Sequence, residues 1–398
     1  MAVKTAVQFS DVPLLDQVNE TATLSLYATR VATSGVEVNN IRKNLPKFMV
    51  VGHRGHGMNV LLSTDKRMNA FKENSILSFN NAANYPLDFI EFDVQVFISD
   101  FPVSIRRVTK DDIPIIFHDN FILSEENGAV VETRVTDLTV DEFFSYGPQR
   151  VVGQVGKTLV RESNGRIVGW QVDTDDHSCT LQEAFEKVNP CLGFNIELKF
   201  DDYIVYEEET LVHALQVIMK VVYEFAKDRP VMFSSFQPDA ALLMKKLQTA
   251  YPVYFLTNGG TEIFDDVRMN SLEDAKKMAI EGKLDGIVSE VLGIFRNPSV
   301  VREIKESNLS LFTYGKLNNV PEAVQVQYLM GVEGVIVDLI QEITTSVAHI
   351  KTTKAYSENE KKKLAIEGKE GELQVKEITD KVELTFLLNL ISQVAQQG

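Results

Sequence analysis

Cysteine is nearly absent: Cys179 and Cys191 are the only two in 398 residues. Two thiols cannot build a disulfide framework, so the chain reads as one for a reducing, intracellular compartment, and both thiols read as inert. Long apolar runs are absent as well. None approaches the roughly 18 residues needed to cross a bilayer, so no integral membrane segment is expected. Basic residues are in deficit, with 40 Lys and Arg against 56 Asp and Glu for a net charge of −16. That balance excludes nonspecific binding to nucleic acid or to an anionic membrane. Near the N-terminus no Arg adjoins a long apolar run, so a secretory signal is not expected.

What remains is 44% hydrophobic and 24% charged, an ordinary globular composition able to bury a large core. Length alone, at roughly 150 residues per domain, suggests two to three domains. The charge distribution suggests otherwise. Residues 1–47 carry five basic and four acidic side chains, and residues 351–398 carry eight of each. Residues 48–350 therefore hold 27 basic and 44 acidic side chains, so the acidity lies wholly in the middle. The expected division is an N-terminal extension (1–46), disordered or targeting, a central domain (47–350) and a C-terminal extension (351–398). Asp11, Asp16, Glu20 and Glu37 weigh against a transit peptide, and cytoplasm and plastid both stay open. Lys361-Lys362-Lys363 and the following EGKEGE read as a solvated linker ahead of VELTFLLNLISQV, an amphipathic helical pattern.

The middle alternates short apolar runs with helical patterns, the signature of βα units around a parallel sheet. Eight strands are expected: FMVVG (48–52), FIEFDV (89–94), FNIEL (194–198), VMFSS (231–235), VYFL (253–256), GIVS (286–289), SLFTY (310–314) and GVIVD (334–338). Helical patterns begin at Glu73, Pro238, Ser271 and Val320, two of them with proline in the first turn. Eight strands with intervening helices over about 300 residues suit an α/β fold of the (β/α)8 TIM-barrel type. An open doubly wound sheet is the rival, but no GxGxxG follows the first strand. TKDDIPIIFHD (109–119) would make a ninth strand, and it reads as a hairpin extension after the second.

Reacting groups in such barrels sit at the carboxyl ends of the strands. The first strand ends in His53 and Arg54. The second carries Glu91 and Asp93, which the strand period of two puts on one face, and the third carries Glu197 and Lys199 likewise. The hairpin ends in His118-Asp119. A buried parallel strand should be almost wholly apolar, so acids inside FIEFDV need a reason. Three carboxylates in one mouth repel unless a cation lies between them, and oxygen ligands without thiolates indicate one hard divalent ion, Mg²⁺ or Ca²⁺. With Arg54 and Lys199 beside it, such an ion suits a phosphate-bearing substrate. Two imidazoles can then divide the proton traffic of phosphodiester cleavage. His56 is read as structural, and His177, His213 and His349 as ordinary surface or helix positions. Trp170 and Tyr314 are read as core aromatics near the mouth, and Asp338 as a polar contact ending the eighth strand.

The ordered set HRG (53–55), EN (73–74), FIEFDV (89–94), HD (118–119) and IELK (196–199) closely resembles the glycerophosphodiester phosphodiesterases. The HRGHGMN and KENSILSFNNAANYPLDFIEFDVQV runs resemble the soluble plant members in particular. The resemblance covers roughly residues 47–350 and implies a barrel of the phospholipase C-like phosphodiesterase type. It implies metal-dependent hydrolysis of small-molecule glycerophosphodiesters, such as glycerophosphocholine, to sn-glycerol 3-phosphate and an alcohol, in glycerolipid catabolism and phosphate recovery. It also implies that His53 and His118 are the acid/base pair, that Glu91, Asp93 and Glu197 are the metal ligands, and that Arg54 and Lys199 contact phosphate. Glu73 and Asn74 support the site. Nothing in the sequence fixes a subunit number.

The chain departs from the family at one place. FISDFPVSIRRV (97–108) lies between DVQV and TKDD, and removing it restores the family pattern. The segment is read as a lengthened hairpin, or as a gene-model or splicing product that weakens the site. The nearest rival in chemistry is a lysophospholipase D-like phosphodiesterase, which needs an apolar channel; a rival of another class is a barrel left by the insertion as a binding protein without turnover.

Overall fold

All eight expected strands form. The computed structural model describes residues 48–96, 111–151, 153–200 and 206–352. The first two strands are β1 (Met49–Gly52) and β2 (Phe89–Gln95). After an insertion carrying six further strands come β9 (Gly193–Leu198), β10 (Val231–Ser235), β11 (Val253–Thr257), β12 (Gly286–Glu290), β13 (Ser310–Tyr314) and β14 (Gly334–Val337). Each pairs in parallel with the next, and β1 pairs with both β2 and β14, so the sheet closes into a (β/α)8 TIM barrel.

Alternation along each strand sorts the barrel into two apolar layers. Inward side chains include Met49, Val51, Phe89, Met232, Tyr254, Val288, Phe312 and Ile336, which pack together as the barrel core. Outward ones, such as Ile90, Phe92, Val94, Phe194 and Ile196, join the larger cluster shared with the helices. Phe89 therefore sets the phase of β2: Glu91 and Asp93 follow it at intervals of two on the inward face, toward the mouth. On β9 the outward Phe194, Ile196 and Leu198 put Asn195 and Glu197 inward, and the register pairs Asp93 with Glu197.

Helix starts follow the local chemistry. Pro238 and Pro321 open the helices Pro238–Leu247 and Pro321–Met330, and Ser271 caps Leu272–Glu281. The segment expected to be helical from Glu73 instead starts its helix at Ile76, with Ser75 as the cap. Asn74 has φ 55°, a left-handed conformation that a right-handed helix cannot include. Among the described residues no helix is long and apolar enough to cross a membrane.

The hairpin extension is present: β3 (Ile115–Ile116) runs antiparallel to the end of β2, pairing Ile116 with Val94 and Ile115 with Gln95. A short strand β8 (Cys179–Thr180) adds to β3 in turn. Between them stands a sheet that the sequence reading did not anticipate: β4 (Phe121–Glu126), β5 (Ala129–Arg134), β6 (Thr158–Ser163) and β7 (Arg166–Gly169), all antiparallel in the order β5-β4-β6-β7. It packs over its own small core of Phe117, Ile122, Phe143, Leu159 and Trp170. The 97–108 segment and nearly all of both extensions lie outside the described residues.

Candidate active site

At the carboxyl end of β1 the chain turns sharply through Arg54 (φ 49°) and Gly55 (φ 91°). A side chain on Gly55 would meet Phe79 and Ser78 at 2.6 Å, so glycine is required there. The turn aims the Arg54 amide at Glu91 Oε2, 2.9 Å away, and leaves His53 facing two carboxylates. His53 Nδ1 is 2.8 Å from Asp338 Oδ1, and its Nε2 is 3.9 Å from Glu91 Oε2. Asp338 is fixed by the amide of Met58 and by Asn319, whose Nδ2 donates to Oδ2 at 2.8 Å. Burial disfavours a charge on His53, but the Asp338 carboxylate outweighs it and pushes the imidazole up to about 9. The same contact holds Asp338 down at about 2 against its own burial. Asp338 thus orients an imidazole, a more definite role than a polar strand end.

Glu91, Asp93 and Glu197 are all buried, and one oxygen of each lies within 4.8 Å of the others. Burial, followed by the charge of Asp93, pushes Glu91 up to about 8. Burial raises Glu197 too. Asp93 goes the other way: His118, Arg54 and Lys199 surround it and hold it well below the usual carboxylate range despite burial. Asn74 Nδ2 donates to Asp93 Oδ2 at 2.8 Å, and Lys199 Nζ lies 3.1 Å from Glu197 Oε1. Glu91 Oε1 is buried with no hydrogen-bond partner among the described residues. An unpaired buried acceptor costs about 1–3 kcal/mol, more when charged. A hard cation beside three carboxylates and this unused oxygen removes that cost, so the donor set fits a divalent ion bound through oxygen.

His118 is tied to the cluster by bonds from its own neighbours to β2. The Phe117 amide donates to Asp93 O at 3.0 Å, and Gln95 Nε2 donates to the carbonyls of both Phe117 and Asp119. Those bonds clamp the HD doublet to the strand that carries the acids. His118 Nδ1 is 2.7 Å from Asp119 Oδ1. Burial, then the nearby Arg54 and Lys199, push His118 down to about 4. The two imidazoles are thus biased to opposite protonation states, each with its own carboxylate behind it.

Glu73 is no surface helix carboxylate. It is buried, receives Arg54 NH1 at 2.8 Å and Arg161 NH1 at 3.0 Å on Oε1, and takes the Asn59 amide on Oε2. Opposing its burial, Arg161 and Arg54 hold its carboxyl below the ordinary range. Trp170 is core and rim together: it is buried, donates from Nε1 to Asn59 Oδ1 at 3.0 Å, and lines a pocket with Lys72, His118 and His177. His177 is therefore closer to the site than a surface position suggests. His56 is structural as read, stacked on Phe71 at 4.9 Å. His213 is exposed on the helix Glu208–Phe225, beside Asp112.

All nine residues singled out in the sequence gather at this one mouth. Asp338, Asp119, Gln95 and Arg161 were missed as site residues. The first three left signals: a polar strand end beside β1, an acid following the histidine, and a polar residue in phase with Glu91 and Asp93. Arg161 left none, because its sheet lacked a readable pattern.

Residues 53–342 match the glycerophosphoryl diester phosphodiesterase family. The chain is 54% identical to glycerophosphodiester phosphodiesterase GDPD2 of Arabidopsis thaliana, an alignment covering 100% of both proteins. It is 53% identical to the chloroplastic glycerophosphodiester phosphodiesterase GDPD1 of the same plant, over 98% of this chain and 99% of that one. Among solved structures it resembles an Oleispira antarctica phosphodiesterase in complex with the product sn-glycerol-3-phosphate. There the TM-score is 0.52 and the identity 18%, covering 77% of this chain and 98% of that one, a likeness of fold. With a matching barrel, a matching family profile and full-length plant relatives, the chain belongs to the glycerophosphodiester phosphodiesterase family and is an enzyme of that kind.

Proposed function

We propose that the chain hydrolyses small glycerophosphodiesters such as glycerophosphocholine to sn-glycerol 3-phosphate and an alcohol, with Mg²⁺ or Ca²⁺ held by Glu91, Asp93 and Glu197. The observation that carries this reading is the buried carboxylate cluster flanked by two imidazoles, each backed by its own carboxylate. Held by these three carboxylates, a divalent ion would supply Lewis-acid stabilisation of charge on the phosphoryl oxygens. Arg54 and Lys199 add fixed positive charge for the same oxygens, and Glu73 and Asn74 hold Arg54 and Asp93 in place. His118, held neutral, takes the proton from the attacking oxygen. His53, held protonated by Asp338, returns a proton to the leaving alkoxide. The net change is one P–O bond broken and one formed, with a proton passed from nucleophile to leaving group.

The test is an assay for glycerol 3-phosphate release from glycerophosphocholine, with and without EDTA, alongside His53→Ala and Glu91→Ala. Loss in all three arms is expected, with recovery from the chelator on adding Mg²⁺ or Ca²⁺. Activity surviving the chelator and both substitutions would overturn the mechanism. A parallel assay on lysophosphatidylcholine separates a small-diester enzyme from a lysophospholipase D. We take residues 1–46 and 351–398 as extensions outside the catalytic barrel. Fusing residues 1–46 to a fluorescent protein distinguishes cytoplasm from plastid.

A further inference from the structure

The inserted sheet sends one side chain into the site. Arg161, on β6, has 14% of its side chain exposed and bridges two acids that serve different site residues. Its NH1 donates to Glu73 Oε1 at 3.0 Å and its NH2 to Asp119 Oδ1 at 2.7 Å. Each acid passes the contact on. Glu73 Oε1 also receives Arg54 NH1, and Asp119 Oδ1 also meets His118 Nδ1. The guanidinium is itself held: its carbon lies 4.2 Å from the Trp170 ring centroid, Trp170 donates to Asn59, and the Asn59 amide donates back to Glu73. These contacts form a closed ring of Arg161, Glu73, Asn59 and Trp170 that ties the inserted sheet to the loop after β1. The two bonds leave from different nitrogens of one planar, rigid guanidinium, a fork that the single nitrogen of an ammonium does not present.

We propose that Arg161 is a positioning residue for the hydrolysis: by bridging Glu73 and Asp119 it holds Arg54 and His118 at one fixed separation beside Asp93. It touches neither the carboxylate cluster nor either imidazole, and it acts through the two acids. Without it, Asp119, whose side chain is 27% exposed, can swing toward water and release His118 from its orientation. A misplacement of about 1 Å at a reacting group can cost on the order of 10²-fold in rate. The inserted sheet is then part of the catalytic apparatus.

The proposal rests on the hydrolytic reading above, so wild-type turnover of glycerophosphocholine is measured first; an inactive wild type is a failure of that reading, not of this one. In the active enzyme, Arg161→Ala is expected to lower kcat about 100-fold with KM within about threefold. Arg161→Lys, which keeps the charge but loses the rigid fork, should fall between the two. Arg166→Ala, an exposed basic position on β7, controls for the sheet and should stay near wild type. The deciding measurement is the double variant Arg161→Ala/Asp119→Asn. If Arg161 works through Asp119, its kcat lies within about threefold of the worse single variant. Losses that multiply, or a folded Arg161→Ala with kcat within about threefold of wild type, overturn the proposal. Should Arg161→Ala melt too early to assay, the same cycle with Arg161→Lys decides the question on the same criterion.

Discussion

Asp338 Oδ1 lies 2.8 Å from His53 Nδ1, joining the end of the last barrel strand to the turn that ends the first. Its consequence for pH is definite. Asp338 raises His53 to about 9, while burial alone acts to lower it. Asp338→Asn removes the raising charge, so His53 loses its proton at lower pH and the basic limb of the kcat/KM profile moves toward acid. We expect a kcat loss of about 10- to 100-fold at pH 8, read from a pH–rate series. The stability sign follows from linkage: a raised histidine stabilises fully below its unfolded value of 6.5, and that contribution is lost as pH rises through about 9. Wild type and Asp338→Asn should therefore converge in Tm as the pH is raised from 6 to 10.

The carboxylate cluster predicts opposite effects of one substitution with and without an ion. In EDTA, Glu91→Gln removes one of three mutually repelling acids and should melt no lower than wild type. With Mg²⁺ or Ca²⁺ added at about 100-fold its dissociation constant, wild type should gain about 2.7 kcal/mol by mass action, and the variant far less. Thermal melts across an ion titration measure both arms. An equal gain in the two proteins would remove Glu91 from the ion site.

Gln95 gives a test of the clamp on the HD doublet. Gln95→Met keeps the volume and removes the donor that serves the carbonyls of Phe117 and Asp119. The loss exposes no new surface but frees the doublet to move. We expect kcat to fall by about 10-fold or more while KM changes little. Steady-state kinetics on the purified variant provide the check.

Removing residues 97–108 should be tolerated. The contacts that set the HD doublet, Val94 with Ile116, Phe117 with Asp93 and the Gln95 bonds, all lie on the flanks of that segment. The shortened chain is expected to keep kcat/KM within about threefold of the full chain, since insertions at hairpins are among the better tolerated. A clear loss on deletion would give the segment a part in activity.

The barrel was legible in the sequence because each buried parallel strand left an apolar run of its own, and the acids in FIEFDV stood out against that background. Glu91, Asp93 and Glu197 could be placed on one face from spacing alone. The four-stranded sheet was not legible. Its strands β5 and β7 are largely exposed, so Ala129–Arg134 and Arg166–Gly169 show no clean alternation. Arg161 was hidden with them. The helix start at Ile76 was misplaced because Asn74 is spent on Asp93, a long-range contact that local propensity does not report.

Closure of the barrel through β1 and β14 also sets a timetable for synthesis. A growing chain has His53 and Arg54 first, then Glu73 and Asn74, then Glu91 and Asp93, then His118, Arg161 and Glu197, and acquires Asp338 only at the very end of the barrel. The contact between residues 53 and 338 spans 285 positions, so no nascent or prematurely terminated chain lacking β14 can hold His53 in its working state. Turnover should switch on in one step at completion of the last strand, with no partly active fragments along the way.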